Sequence, residues 1–146
     1  MNIPLRSIEE MRTKIDSHPV SIIEQTSQAV SNLDSLGRQM NAVAHVAKDD
    51  AIARAEHLHD TVLQGDANRS SSLLGVPVAH KDLVDTAGVR TTLGSPIYRD
   101  RVPDEDDLNV ERMRAAGAVM VGKTNTPEFG AGSQTFNQVF GVTSNP

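Results

Sequence analysis

Lys81 is the residue of this sequence whose position most clearly suggests chemistry. It ends the largely apolar run 76–80, which is typical of a buried strand, and Asp82 follows it directly. At the usual lysine pKa, only about 4 in 10,000 side-chain amines are neutral at pH 7. Burial would lower that pKa, so that the neutral amine could accept a proton as a general base. The alternative is a structural lysine that reaches solvent or pairs with Asp82 or Asp85.

Residues 117–124 match the pattern G-x-x-x-x-G-K-[ST] of phosphate-binding loops. Such a loop follows a strand and opens a helix, so that backbone N–H groups and the helix N-terminus face the phosphates. Here a predicted helix over 107–116 comes first, and the residues between the glycines are apolar and strand-like. We therefore interpret Gly117 as a helix cap and Lys123 as a solvent-exposed or structural residue, and we expect no nucleotide binding.

Metal binding is not indicated by the residue pattern. The sequence has no cysteine, and its histidines do not form a ligand set. His57 and His59 diverge on a predicted helix, and His80 should face away from Lys81 on a strand. The acidic run 104–107 stands at a predicted helix start, where it supplies the N-cap and complements the helix dipole. We expect no metal and no cofactor.

Composition and charge exclude two further classes of protein. A formal net charge of −5 without a Lys/Arg cluster argues against nucleic-acid binding, which needs a basic surface. No apolar run approaches the roughly 20 residues of a membrane span. Glu9 and Glu10 lie where a signal peptide would be apolar, so we expect a cytoplasmic protein.

Helical periodicity dominates the first 66 residues. The predicted helices cover about 7–16, 21–36 and 49–63, and a short strand is predicted over 42–46. Ser7 and Glu10 fit a capping box at the start of the first helix. A polar loop over 66–72 then separates residues 1–66, a helical N-terminal segment, from residues 67–146, the start of an α/β core.

The second segment carries the pattern of a crossover unit. Strand 76–81, helix 107–116 and strand 118–122 are predicted in that order. Two strands joined through a helix normally lie parallel in one sheet, and apolar runs such as 118–121 are typical of strands buried on both faces. The expected fold class is therefore α/β.

Five blocks of the sequence, taken together, are similar to one known family. They are the segments 74–82, 91–95, 110–117, 122–129 and 140–146. In order and spacing they resemble the amidase signature family, and the match covers nearly every block from Leu73 onward. The resemblance implies a mixed-sheet core and an amidase-type hydrolase that acts on C–N bonds other than peptide bonds.

The resemblance also implies a mechanism and a set of site residues. The family uses a Ser-cisSer-Lys triad, a variant of the Ser-His-Asp arrangement, and Lys81 matches its lysine base. By the same similarity, Phe129, Gly130, Ala131 and Gly132 would line the acyl pocket. The implied partner is a small-molecule amide substrate, with no nucleic acid and no membrane, and a homodimer is compatible with the sequence.

The two triad serines have no counterpart in these 146 residues. In the family, a glycine-serine block carries them shortly after an Asn-Pro such as Asn145-Pro146. We therefore expect the N-terminal part of a longer enzyme, inactive alone. The alternative is a noncatalytic fragment or scaffold subunit that docks on a partner supplying the rest of the sheet.

Overall fold

The computed structural model describes residues 7–65 and 71–145. Its helices and strands follow the order expected from the sequence. They are α1 (Ile8–Ser17), α2 (Ser21–Asn32), a π-helical turn (Leu33–Gly37), β1 (Val43–Val46), α3 (Lys48–Leu63), β2 (Pro77–Lys81), a 3-10 turn (Pro96–Tyr98), α4 (Leu108–Ala115), β3 (Val119–Thr124), a second 3-10 turn (Glu128–Gly130), β4 (Phe136–Asn137) and β5 (Gly141–Val142).

The start of α1 follows the predicted capping box. The Ser7 side chain accepts a hydrogen bond from the Glu10 N–H, and the Glu10 carboxylate accepts one from the Ser7 N–H. The helix predicted over 21–36 is divided in the structure, because α2 ends at Asn32 and the π-helical turn continues to Gly37. A Cβ at Gly37 would collide with the Val43 side chain, so the turn can approach β1 closely only with glycine there.

The main sheet has three strands in the order β1-β3-β2. β2 and β3 are parallel, as the predicted crossover through α4 requires, and β1 lies antiparallel to β3. The predicted α/β class with a mixed sheet is thus confirmed. In the parallel pair, Lys81 at the end of β2 is in register with Thr124 at the end of β3.

Both segments of the chain contribute to one hydrophobic cluster. Apolar side chains from α1, α2 and α3 pack with residues from the second segment, including Ile15, Ile22, Ala55, Leu58, Val62, Leu74, Val119 and Val121. β1, from the first segment, pairs with β3 from the second. The proposed division at 66/67 falls within residues 66–70, which lie outside the described residues, and it stays a prediction.

The acidic run before α4 does not cap that helix as expected. Asp107 is the N-cap residue, but its side chain makes no capping hydrogen bond. Its carboxylate accepts instead from the Asp85 N–H at 2.8 Å, and the Asp106 carboxylate accepts from the Ala87 N–H at 2.8 Å. The run therefore fixes the turn that follows β2.

Candidate functional site

Lys81 lies at the carboxyl end of β2, and its side chain is exposed. The expectation that it would be buried is wrong for the described residues. β2 is an outer strand of the three-stranded sheet and Lys81 is its last residue, so nothing packs over the amine. Within residues 7–65 and 71–145, the amine forms no hydrogen bond or ion pair, including with Asp82 or Asp85.

The backbone beneath Lys81 is firmly held, because the next residue, Asp82, is only 1% exposed. The Asp82 carboxylate accepts hydrogen bonds from the Thr92 hydroxyl at 2.5 Å and from the Thr92 N–H at 3.2 Å. The Asp82 N–H donates to the Thr124 carbonyl at 3.0 Å. Burial raises the pKa of Asp82, and the hydrogen bonds from Thr92 oppose that shift. Lys81 is therefore a free amine on a rigid strand end.

Lys123 is the fully buried lysine of the site, with 0% of its surface exposed. Its Nζ donates to the Val84 carbonyl at 2.5 Å and to the Thr91 hydroxyl at 2.7 Å, with Thr86 Oγ1 further away at 3.4 Å. Burial lowers the pKa of Lys123, and the charges of Asp82 and Asp85 oppose that shift. Of the two roles predicted for Lys123, the structural one is confirmed and the solvent-exposed one is wrong.

The signal for Lys123 was present in the sequence. It directly continues the predicted strand 118–122, and β3 extends through it to Thr124. Because β3 is the central strand of the sheet, a side chain near its end can be covered from above. The covering segment is the loop 82–95, which the Lys123 amine holds from below through Val84 and Thr91.

Leu93 links the strand end at Lys81 to the predicted acyl pocket. The Leu93 N–H donates to the Asp82 carbonyl at 3.0 Å, and the Phe129 N–H donates to the Leu93 carbonyl at 2.7 Å. Leu93 and Phe129 both adopt left-handed backbone conformations, with φ of 55° and 51°. Such conformations cost about 1–3 kcal/mol each outside glycine and cluster at functional sites. The structure thus brings Lys81 and Phe129 to the same end of the sheet.

The four predicted pocket residues differ in what they contact. Phe129 and Ala131 line a shallow depression of about 420 Å³. The Phe129 ring is half exposed and meets the Tyr98 ring edge-on, with centroids 6.1 Å apart. Gly130 instead lies against the Leu83 side chain, and Gly132 lies beside the Pro127 ring.

Two buried asparagines hold the C-terminal hairpin at this end of the sheet. The Asn125 side chain donates to the Thr143 hydroxyl at 3.1 Å. The Asn137 side chain donates to the Asn125 side-chain oxygen and to the Thr126 carbonyl, both at 2.7 Å. Because Asn125 directly follows the Thr124 that is paired with Lys81, residues 141–144 lie near the same end of the sheet as Lys81.

The remaining charged contact of the site stabilises the turn after β2. Arg101 donates to both carboxylate oxygens of Asp85, at 2.6 and 2.5 Å, and this contact lowers the pKa of Asp85. Within the described residues, no cluster of His, Asp and Glu side chains could hold a metal ion. Among the helices of that same part of the chain, none has the length and apolar character needed to cross a bilayer.

Comparison with known sequences gives a consistent family. The sequence model of the family described as Amidase matches residues 24–146. One relative, from Geotalea daltonii, belongs to the glutamyl-tRNA(Gln) amidotransferase and forms one of its subunits. It is 38% identical over 140 residues, which cover 96% of this chain and 28% of the relative. The chain therefore spans little more than a quarter of the length of this curated relative.

Solved structures agree with the sequence comparison. A protein from a vestigial complex that reveals the evolutionary origins of an s-triazine catabolic enzyme has a TM-score of 0.86 and 30% identity, over 97% of this chain and 31% of that one. The peptide amidase from Stenotrophomonas maltophilia has a TM-score of 0.85 and 26% identity, over 96% of this chain and 30% of that one. The likeness thus includes the N-terminal helices, which precede the five blocks of the family resemblance.

Proposed function

The chain belongs to the amidase signature family, and from that premise we propose that Lys81 is the proton-accepting lysine of an amide-hydrolysing site. The observation that carries the proposal is the link through Leu93, whose backbone joins Asp82, next to Lys81, to Phe129. A lysine and an aromatic side chain from distant parts of the sequence are thereby placed at one end of the sheet. Acyl-transfer sites need this combination of a proton acceptor and a surface for the acyl group.

The proposed reaction follows the family's Ser-cisSer-Lys scheme. A nucleophilic serine attacks the amide carbonyl while its proton passes to the bridging serine, whose own proton passes to Lys81 Nζ. The amine product leaves with a proton, and water then hydrolyses the acyl-enzyme. Both serines belong to the glycine-serine block of the family, which is not among these 146 residues. Lys81 is exposed here, so in this scheme the polypeptide that carries the serines also removes water from the amine.

We propose a small-molecule amide as the substrate, with a C–N bond other than a peptide bond. Its acyl part contacts the depression lined by Phe129 and Ala131, where apolar surface is already exposed. The Geotalea daltonii relative is part of an amidotransferase, and its 38% identity supports transfer of the amide nitrogen to another acceptor as a second candidate. Both candidates need the same acyl-transfer step. The cytoplasmic location, the homodimer and the scaffold alternative stay predictions.

A chimera tests the proposal. The 140-residue region of the Geotalea daltonii relative that this chain matches is replaced by the chain, and amide hydrolysis is measured. We expect Lys81→Ala to reduce the rate by about 10²- to 10⁴-fold, the usual contribution of a general base. Lys48→Ala is the matched control, because Lys48 is also exposed but begins α3, and it should leave the rate unchanged.

Two outcomes contradict the proposal. One is an active chimera in which Lys81→Ala and Lys48→Ala behave alike. The other is amide hydrolysis by the purified 146-residue chain that is lost in Lys81→Ala, since we expect the chain alone to be inactive. Reading the coding sequence beyond codon 146 gives an independent check: an in-frame glycine-serine block supports the enzyme, and its absence favours the scaffold.

A further inference from the structure

A second cavity, of about 330 Å³, lies between α3, α4 and the strands β2 and β3. His80 lines this cavity, and because consecutive strand residues face opposite sides of a sheet, Lys81 points away from it. Much of the lining is apolar, with Val89, Met113 and Met120 as its larger members. The volume is at the lower end of the roughly 300–1,000 Å³ range of small-molecule pockets, so it suits a small ligand.

Arg54 is the cavity's uncommitted cation. Its Nε is fully buried and has no hydrogen-bond partner. Elsewhere on the guanidinium, too, no hydrogen bond or ion pair is formed with any of the residues 7–65 or 71–145. Burial and the nearby charge of Arg114 lower the pKa of Arg54. A partly buried guanidinium is costly without a partner, so this group is prepared for an anion.

The other ionisable groups of the cavity do not neutralise Arg54. Asp50 lies one turn earlier on α3 and is exposed, and its charge acts on His45, whose pKa it raises against burial. Arg114 is already paired with Asp106, at 2.8 Å between Nη1 and Oδ2. The field inside the cavity is therefore positive, with one guanidinium still free to bind a ligand.

His80 adds a neutral donor to this positive field. It is only 7% exposed, and burial, together with the charge of Lys123, lowers its pKa. The imidazole is therefore uncharged at neutral pH, and one of its ring nitrogens carries a proton that a ligand oxygen can accept. One free guanidinium and one neutral donor match the two oxygens of a carboxylate. A phosphate dianion would need more donors than this cavity has uncommitted.

We propose that the cavity binds a small carboxylate with an apolar body. The carboxylate pairs with Arg54 and accepts a hydrogen bond from His80, and the body packs against Met113 and Met120. Arg54 provides the bidentate geometry that carboxylates favour. The site is separate from Lys81 and does not depend on amide hydrolysis.

Benzoate is the probe, titrated into the 146-residue chain and followed by calorimetry and amide chemical shifts. We expect saturable binding, with benzamide, its neutral isostere, at least about tenfold weaker. Acetate, which has the same headgroup without the apolar body, should also bind at least about tenfold more weakly than benzoate. Shifted amides should map to α3, α4 and the middle of β2 and β3.

Variants test the assignment to Arg54. Arg54→Met keeps the apolar stem and should weaken benzoate binding by about tenfold or more. Arg112→Met is the matched control, because it removes an equal charge from an exposed position on α4, and it should have no effect. Benzoate and benzamide binding equally to the unmodified chain, no saturable benzoate binding, or equal effects of the two variants would each overturn the proposal. The benzamide comparison needs no variant, so it holds even if Arg54→Met does not fold.

Discussion

β2 and β3 lie side by side and run parallel, but the lysines near their carboxyl ends have opposite surroundings. Lys81 is exposed at the end of an outer strand, and Lys123 is completely buried at the end of the central one. The difference is the loop 82–95, which starts at Lys81 and returns over Lys123. A lysine's burial is thus decided by the segment that covers it rather than by the strand that carries it.

The same loop gives the two lysines separate roles. It is held from below by Lys123 and from within by the contact between Asp82 and Thr92. Because Asp82 follows Lys81, the buried contacts fix the backbone that carries the exposed amine. We infer that Lys123 stabilises the site and that Lys81 is the group available for proton transfer.

The largest expected effect separates the lysines by stability. Lys123→Met fills the same space but leaves the Val84 carbonyl and the Thr91 hydroxyl without their donor. Hydrogen bonds to a charged group contribute about 1.5–3 kcal/mol each, so we expect Lys123→Met to lower the free energy of unfolding by about 3 kcal/mol. Lys81→Met should lower it by less than about 0.5 kcal/mol, as for other exposed positions. Urea unfolding of both variants measures the difference, and equal losses would contradict the comparison.

Asp82→Asn tests the second contact of the loop. The amide keeps one acceptor oxygen for Thr92 but loses the carboxylate's charge and one acceptor. We expect a loss of about 2 kcal/mol in the free energy of unfolding. Asp100→Asn, at an exposed position, is the control and should change it by less than about 0.5 kcal/mol. A neutral result for Asp82→Asn would show that the loop does not depend on this contact.

Thr91 and Thr86 allow a finer test, because both are fully buried near the Lys123 amine at different distances. Thr91 Oγ1 is 2.7 Å from Nζ, whereas Thr86 Oγ1 is 3.4 Å away. We expect Thr91→Val to cost about 1.5 kcal/mol and Thr86→Val less, about 0.5 kcal/mol. Chemical denaturation gives both values, and the reverse order would assign the stronger contact to Thr86.

Local patterns in the sequence predicted the helices and strands well. Ser7 and Glu10 marked the start of α1, and the strand, helix and strand of the second segment predicted the parallel pair β2 and β3. These elements depend on capping and on apolar periodicity, which short stretches of sequence contain. The resemblance to the amidase signature family likewise depended on short blocks in a fixed order.

The surroundings of the lysines could not be predicted in the same way. Lys123 is buried by a hydrogen bond to Thr91, 32 residues earlier in the chain. The left-handed conformations of Leu93 and Phe129 have no sequence signal, because glycine and asparagine are the usual residues there. Both features come from packing between distant segments, which periodicity does not report.

The smallest expected effect is a pH dependence that belongs to Lys123 alone. Burial lowers the pKa of Lys123 below its ordinary value of 10.5, so between the folded-state pKa and 10.5 the unfolded chain binds more protons than the folded one. The free energy of unfolding should therefore rise with pH across that window, by at most about 1.4 kcal/mol per pH unit. The raised pKa of Asp82 acts in a different window, above 3.8, and there the free energy of unfolding falls as pH rises. Urea unfolding on the alkaline side of neutrality should show the rise in the unmodified chain and in Lys81→Met. Its persistence in Lys123→Met would assign the titration to another group.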